Sequence, residues 1–152
     1  MSNNKIPLME AFFTIQGEGF HSGRAAYFIR TAGCDVGCVW CDVKESWDEN
    51  AHPKTSISDI VDGVKASRTD FVVITGGEPT MYDLTELTRA LKEIGMEIAI
   101  ETSGAYTITG EIDWICLSPK KLNPPIKEVK QLTNELKVII ANKTDFKWAV
   151  DQ

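Results

Sequence analysis

The sequence predicts an α/β fold with a mostly parallel sheet, and three observations support this prediction. Residues 71–75 form a continuous apolar run that ends at Gly76 and Gly77, which is typical of a parallel strand buried on both faces. Other short apolar segments alternate with segments of helical periodicity. Polar motifs follow three of the predicted strands, and ligands of parallel sheets bind beyond the carboxyl ends of the strands. We therefore expect a site along that edge.

The first third of the chain contains two predicted strands, followed by a cysteine-rich segment. Residues 7–15 and 26–30 have the composition of strands, and the glycine-rich turn 16–19 follows the first of them. The second strand leads directly to the cysteines. Residues 42–55 are polar and rich in turn formers, so they predict a loop.

Two helices are predicted from apolar spacing and from the caps that precede it. Ser56 or Ser58 can cap the first helix, whose apolar face contains Ile57, Ile60, Val61 and Val64. Residues 83–86 fit a capping box for the second helix, and Gly95 marks its end. Its apolar stripe contains Leu84, Leu87, Leu91 and Ile94.

The remaining residues predict three strands, at 97–101, 113–117 and 136–140. Thr144 precedes a last predicted helix, 145–150, and the chain stops inside this helix. Domains seldom end inside an element. We therefore expect residues 1–152 to form a single domain that lacks a C-terminal segment.

Composition limits the classes of partner. The net charge is −6 and no cluster of Lys or Arg is present, whereas proteins that bind nucleic acid usually carry a basic face. No stretch approaches the roughly 20 apolar residues that a membrane span needs, and the N-terminus does not resemble a signal peptide. We expect a cytoplasmic protein that binds a small molecule, with neither nucleic acid nor a membrane as a partner.

The spacing C-x3-C-x2-C of Cys34, Cys38 and Cys41 favours a [4Fe–4S] cluster. Four-iron clusters usually have one thiolate for each iron, so three protein ligands leave one iron open. S-adenosylmethionine (SAM) can bind that iron through its amino and carboxylate groups. Reduction of the cluster then delivers an electron to the sulfonium, which releases methionine and a 5′-deoxyadenosyl radical.

Two other interpretations of the cysteines stay open at this point. A structural zinc site needs four ligands, and the fourth could come from His21, His52 or Cys116, although none has the usual zinc-finger spacing. A redox dithiol needs only two cysteines. Cys116 lies alone in an apolar run and is expected to be a small core residue.

The triad resembles the signature of the radical SAM superfamily, whose members have a full or partial (β/α) barrel. Residues 75–79 (TGGEP) resemble the Gly-Gly-Glu-Pro motif of that superfamily, whose backbone lies beside the SAM amino group. Glycine suits this place because no Cβ blocks the approach of a ligand. Four further segments resemble the 7-carboxy-7-deazaguanine synthase family: 13–19 (FTIQGEG), 27–30 (YFIR), 114–120 (WICLSPK) and 134–138 (NELKV).

This resemblance implies a specific activity. Members of the family contract 6-carboxy-5,6,7,8-tetrahydropterin to 7-carboxy-7-deazaguanine and release ammonia, in the biosynthesis of queuosine and other 7-deazapurines. It also implies a homodimer that requires SAM, the cluster and Mg²⁺, together with an electron donor such as flavodoxin or ferredoxin. The enzyme class is that of carbon–nitrogen lyases.

The resemblance assigns site residues position by position. The cluster ligands are Cys34, Cys38 and Cys41. The SAM contacts are Trp40, Cys41, Asp42, Gly77, Ser118, Pro119 and Lys120. The substrate contacts are Ile15, Gln16, Gly17, Arg30 and Thr75, and Arg30 has the planar donor geometry that suits a carboxylate.

Each assignment has a plainer alternative. Arg30 could be a structural arginine, Lys120 beside Lys121 could be solvated charge, and Asp42 could be an ordinary loop carboxylate. Three further acidic or polar residues are expected near the site without an assigned role: Glu18, Glu101 and Ser103.

The sequence departs from the family at two places. Val43 stands where many members have a threonine that ligates Mg²⁺, so the metal would depend on substrate, SAM and water. Family members are also roughly a quarter longer. The alternatives to the synthase are another small radical SAM enzyme, such as a glycyl-radical-enzyme activase, and a non-enzymatic zinc module.

Overall fold

A computed structural model describes residues 5–152; residues 1–4, part of the segment searched for a signal peptide, lie outside it. Its core is one seven-stranded sheet with the order β3-β1-β2-β4-β5-β6-β7. The strands are β1 (Lys5–Ile15), β2 (Ala25–Thr31), β3 (Lys54–Ser56), β4 (Phe71–Gly76), β5 (Glu97–Thr102), β6 (Trp114–Leu117) and β7 (Glu135–Leu136).

The sheet is mostly parallel, as the sequence predicts. Strands β2, β4, β5, β6 and β7 run parallel to one another, while β1 pairs antiparallel with both β2 and β3. The carboxyl ends of the five parallel strands therefore lie along one edge of the sheet. In such sheets this edge carries the ligand site.

Helices α1 (Ile57–Ala66) and α2 (Thr85–Glu93) pack on one face of the sheet, which we call the helix face. Two further helices are α3 (Lys127–Leu132), which contacts β6, and α4 (Lys143–Val150). Ser56 caps α1, because its hydroxyl accepts the backbone N–H of Asp59. Alternate strand residues and the apolar faces of α1 and α2 form the main core: Ile29, Val72, Ile74, Ile98, Ile100, Ile60, Val64, Leu87 and Leu91.

The opposite side of the sheet, which we call the inner face, contains a smaller apolar cluster. Ala26, Phe71, Val73 and Ala99 are buried there, and Trp114 packs against them. Because successive strand residues point to opposite faces, Phe71, Val73 and Thr75 share this inner face. Both faces of β4 are thus covered, which explains why its sequence is a continuous apolar run.

The connection between β1 and β2, residues 16–24, folds against the amino-terminal part of the inner face; we call it the floor segment. The ring of Phe20 stacks on Trp114 at 4.7 Å between centroids. Arg24 donates to Glu97 and Asp70 and lies 4.2 Å from the Phe71 ring centroid. These contacts close the lower end of the inner face.

One predicted loop and one predicted strand have other bounds in the structure than the sequence predicts. The predicted loop 42–55 ends in β3, which pairs with Ile6 and Pro7; three residues are too few to show the alternation of a strand. The strand predicted at 136–140 is instead Glu135–Leu136, so only Leu136 of the predicted range lies in it. The Lys137 N–H donates to Leu117 O at 2.8 Å, and β6 ends there, so residues 138–140 have no partner strand.

The capping box predicted at residues 83–86 does not form. Leu84 is fully buried and its N–H donates to Thr109 Oγ1 at 2.8 Å, so α2 begins one residue later. Asp83 accepts the Thr85 N–H instead. A capping box does form at α4, between Asn142 and Asp145, and this helix begins earlier than predicted. Helix α3 was missed, because Val129 is its only buried residue.

Cys116 is buried on the inner face, as predicted for a core residue, and burial raises the pKa of its thiol to about 12. Among residues 5–152, no helix is long and apolar enough to cross a membrane.

Two leucines, Leu91 and Leu122, are expected to contribute very differently to the free energy of unfolding. Leu91→Ala removes a fully buried side chain of α2 and is expected to lower the free energy of unfolding by about 2–5 kcal/mol. Leu122→Ala changes a side chain that is 77% exposed and is expected to have an effect of about 0.5 kcal/mol or less. Urea denaturation measures both. Equal losses in the two variants would contradict the assigned core.

Candidate active site

The carboxyl ends of the parallel strands surround a cavity of about 400 Å³. Arg30 on β2, Thr75 on β4 and Glu101 on β5 line it, together with the segments that follow β4 and β6. The cysteine segment lines the same cavity. The site thus lies where the sheet topology predicts a ligand to bind.

Most residues assigned from the sequence line this cavity. They are Gln16, Gly17, Arg30, Cys34, Cys38, Trp40, Cys41, Asp42, Thr75, Gly77, Ser118 and Lys120. Ile15 and Pro119 do not. Since Gln16 points into the cavity, the alternation of β1 directs Ile15 outward, and its side chain is 62% exposed. Pro119 lines a separate groove beside Cys38 and Trp40.

Backbone hydrogen bonds hold the start of the cysteine segment in place. The Gly33 N–H donates to Ser46 O at 2.6 Å, and the Cys34 N–H donates to Trp47 O at 3.2 Å. The Tyr82 hydroxyl donates to Ala32 O at 2.7 Å. The 3-10 turns at 44–46 and 49–51 therefore act as a support for this segment.

The three cysteines are unpaired, partly exposed and face the same cavity, which fits a cluster held by three thiolates. Burial raises the pKa of the Cys34 thiol and of the Cys38 thiol. Among residues 5–152, no three His, Cys, Asp or Glu side chains lie close enough together to hold a single metal ion. The fourth ligands considered for zinc, His21, His52 and Cys116, do not line the cavity.

The Gly76-Gly77 turn packs directly on the cysteine segment. A Cβ at Gly77 would lie inside van der Waals contact with the carbonyl of Gly33 and against Cys34 Cβ, and a Cβ at Gly76 would collide with Thr31. The Glu78 N–H also donates to Gly33 O at 2.8 Å. Glycine is required here because the two backbones approach closely.

Glu78 is 1% exposed, and its carboxylate is satisfied by neighbouring donors. Oε1 accepts the Thr80 N–H, the Thr80 hydroxyl and the Thr102 hydroxyl; Oε2 accepts the Ser103 N–H at 2.8 Å and the Ser103 hydroxyl. The carboxylate thereby connects the turn after β4 to the end of β5.

Arg30 has one engaged nitrogen and two that remain available. Its Nε donates to Glu10 Oε1 at 2.7 Å, while the rest of the guanidinium has no hydrogen-bond partner among the described residues. Thr75 is its register partner on β4 and is buried. The free edge of the guanidinium suits a planar anion such as a carboxylate.

Lys120 contacts two other residues assigned to SAM, Ser118 and Trp40. Lys120 Nζ donates to the carbonyl and to the hydroxyl of Ser118, each at 2.6 Å, and lies 5.4 Å from the Trp40 ring centroid. Burial lowers the pKa of Lys120. Asp42 and Val43 also line the cavity, and Val43 offers no side-chain oxygen to a metal.

An ion-pair network forms the base of the cavity. Lys137 Nζ donates to Glu18 and to Glu101, each at 3.1 Å, and Gln16 Nε2 donates to Glu101 at 3.2 Å. Burial alone would lower the pKa of Lys137, but the two carboxylates outweigh it and the pKa is raised. Sequence reasoning missed Lys137. The alternation in 134–138, which places 135 and 137 on one face, is the signal that could have identified it.

Gly77→Ala is expected to impair cluster binding. The new Cβ must displace the backbone of Gly33, which leads into Cys34, at a cost of about 1–3 kcal/mol. Gly17→Ala is the matched control, since its Cβ meets nothing within 4 Å. The measurement is iron content after anaerobic reconstitution: Gly77→Ala should lose bound iron, and Gly17→Ala should retain it. Full iron content in Gly77→Ala would contradict the close packing.

Comparison with known proteins identifies the family. The model of the Radical SAM superfamily matches residues 28–144. The chain is 56% identical to a 7-carboxy-7-deazaguanine synthase of Flavobacterium psychrophilum over 148 residues, which cover 97% of this chain and 70% of that protein. The synthase of Synechocystis is 49% identical over 94% of this chain and 69% of its own length.

A solved structure agrees with this relationship. The crystal structure of QueE from Escherichia coli superimposes with a TM-score of 0.85 at 31% identity, covering 97% of this chain and 75% of that one. The expected partial barrel with a mostly parallel sheet is therefore confirmed. The chain belongs to the 7-carboxy-7-deazaguanine synthase family of the radical SAM superfamily.

Proposed function

We propose that this chain converts 6-carboxy-5,6,7,8-tetrahydropterin to 7-carboxy-7-deazaguanine with loss of ammonia, a step in the biosynthesis of queuosine. The observation that carries this proposal is one cavity lined by three free cysteines, the Gly-Gly turn and the unfilled edge of Arg30. The relatives named 7-carboxy-7-deazaguanine synthase support the same reaction and do not favour an activase or a zinc module.

The radical SAM family implies a [4Fe–4S] cluster and SAM as cofactors. When bound, the reduced cluster supplies one electron to SAM and so starts radical chemistry on the substrate. Cys34, Cys38 and Cys41 would hold the cluster. Trp40, Asp42, Gly77, Ser118 and Lys120 would hold SAM, and Pro119 would shape the segment that carries Ser118 and Lys120.

The protein's own contribution is to orient the pterin and exclude water. Arg30 would bind the carboxylate, and Thr75 and Gln16 would contact the ring, with Gly17 and the backbone at Ile15 beside them. This orientation decides which C–H bond faces SAM. Gln16 is held by Glu101, so its amide is fixed before the substrate arrives.

The remaining properties of the family are extended to this chain as proposals. Mg²⁺ would be bound by substrate, SAM and water, because Val43 supplies no ligand. We further propose a single domain over residues 1–152, a homodimer, a location in the cytoplasm, and reduction by a flavodoxin or ferredoxin. The four free cysteines fit a reducing compartment.

Product formation tests the proposed function. Anaerobically reconstituted protein is incubated with the carboxytetrahydropterin, SAM and dithionite, with the Flavobacterium psychrophilum relative in parallel. We expect a deazaguanine product by mass spectrometry and none from Cys38→Ala. SAM cleavage without deazapurine, under conditions where the relative forms product, would refute the proposal.

Arg30→Lys tests the carboxylate contact. Lysine keeps the charge but loses the planar pair of donors, so kcat/KM for the pterin should fall at least about tenfold. Uncoupled SAM cleavage should persist, since the cysteines are untouched. Arg89→Lys is the control, because Arg89 lies on the exposed face of α2 and bonds only to Glu86 and Glu93 among the described residues. Unchanged turnover in Arg30→Lys would overturn the assignment.

A further inference from the structure

Gln16 is the first residue of the floor segment, and its backbone is bonded on both sides. The Gln16 N–H donates to Arg24 O, and the Gln16 carbonyl accepts the Gly23 N–H, each at 2.8 Å. The residue is 9% exposed, and it lines the cavity of the candidate site. Because the backbone is fixed, what Gln16 offers to a ligand depends on the direction of its side-chain amide.

Two hydrogen bonds give the Gln16 amide one direction. Its Nε2 donates to Glu101 Oε1 at 3.2 Å, and its Oε1 accepts the Glu18 N–H at 3.2 Å. Reversing the amide would place its oxygen against the carboxylate and its NH₂ group against another N–H donor, and both contacts are unfavourable. A glutamine amide has two N–H donors and two acceptor lone pairs, so one donor and one acceptor remain for a ligand.

Lys137 holds the carboxylate that gives the amide this direction. Its Nζ donates to Glu101 Oε2 at 3.1 Å, which is the oxygen that Gln16 does not use. The backbone of Lys137 is anchored too, because its N–H donates to Leu117 O at the end of β6. The Glu101 side chain is 20% exposed, and a carboxylate in such a place is expected to turn toward solvent if it loses its cation. Gln16 would then lose the acceptor that orients it.

We propose that Lys137 is a positioning residue for the substrate, and that it acts through Glu101 on the Gln16 amide. An adjacent donor and acceptor complement the edge of a cyclic amide, and the pterin ring of the proposed substrate has such an edge at N3–H and C4=O. With the amide held in one direction, the site accepts this edge and rejects an edge whose donor and acceptor are exchanged. The inference rests on the proposed function, and the class of ligand that it selects is a 4-oxopteridine carboxylate.

Two pteridines that differ only at this edge test the proposal. 6-Carboxypterin, the aromatic form of the proposed substrate, has the 4-oxo edge. In 2,4-diaminopteridine-6-carboxylate the group at C4 is a donor and N3 is an acceptor, while the carboxylate for Arg30 is kept. Binding to the anaerobically reconstituted, unreduced protein with SAM is measured by pteridine fluorescence. We expect the wild-type protein to bind 6-carboxypterin at least about tenfold more tightly, because the other ligand mismatches the amide.

Lys137→Met should remove this preference. Methionine fills similar space without the charge, so the affinity for 6-carboxypterin should fall about tenfold and the two ligands should bind about equally. Lys137→Arg should restore the preference to within about threefold of wild type, since it again supplies a cation to Glu101. Lys92→Met is the matched control: Lys92 donates to Asp113, its side chain is 26% exposed against 32% for Lys137, and it does not line the cavity. The preference should be unchanged in this control.

A double-mutant cycle tests the route through Gln16. In a Gln16→Met background, Lys137→Met should cause no further loss of affinity, because the amide that it orients is absent. Additive losses in the cycle, an unchanged preference in Lys137→Met, equal losses in Lys137→Met and Lys92→Met, or no preference in the wild-type protein would each overturn the proposal. The assay needs no turnover, so a chain that shows the preference but forms no deazaguanine refutes only the proposed reaction.

Discussion

The carboxylate of Glu78 connects the two halves of the candidate site. It is almost fully buried and accepts hydrogen bonds from Thr80, Thr102 and Ser103. A buried carboxylate is unfavourable unless its oxygens are satisfied, so the donors on both sides must keep their positions. Those donors belong to the turn after β4 and to the end of β5, and the Glu78 backbone bonds to Gly33 just before Cys34. The positions of the Gly-Gly turn, the β5 end and the cysteine segment therefore depend on one another.

The two faces of the sheet have different roles: the helix face stabilises the fold, and the inner face carries the candidate site. The helix face is apolar and packs against α1 and α2, which provides the stability of the fold. The inner face changes along the strands: it begins with the aromatic contacts of Phe71 and Trp114, continues with the ion pairs of Lys137, and ends with the cavity at the strand termini. This gradient gives a packed floor below the cavity, and the floor excludes water from that side of the site.

The sequence predicts those features that depend on local pattern. The run 71–75, the cap at Ser56 and the triad with its Gly-Gly turn all follow from residue types at fixed spacing, and the structure places the turn against the triad. Features that depend on distant partners were missed or misjudged. The strand at 136–140 ends because β6 offers no further partner, and the capping box at 83–86 fails because burial of Leu84 fixes the start of α2. The alternation in 134–138 indicates the face on which Lys137 lies, but its partner Glu18 is 119 positions away, and no local pattern reveals that pairing.

The central claim is that Cys34, Cys38 and Cys41 hold a four-iron cluster with one iron open to SAM. The most direct measurement is iron and acid-labile sulfide per chain in oxygen-free protein, combined with the electron paramagnetic resonance spectrum of the reduced protein with and without SAM. The account predicts about four iron and four sulfide per chain, and a spectrum that changes when SAM is added. Bound zinc without iron, or a cluster whose spectrum does not respond to SAM, would contradict it.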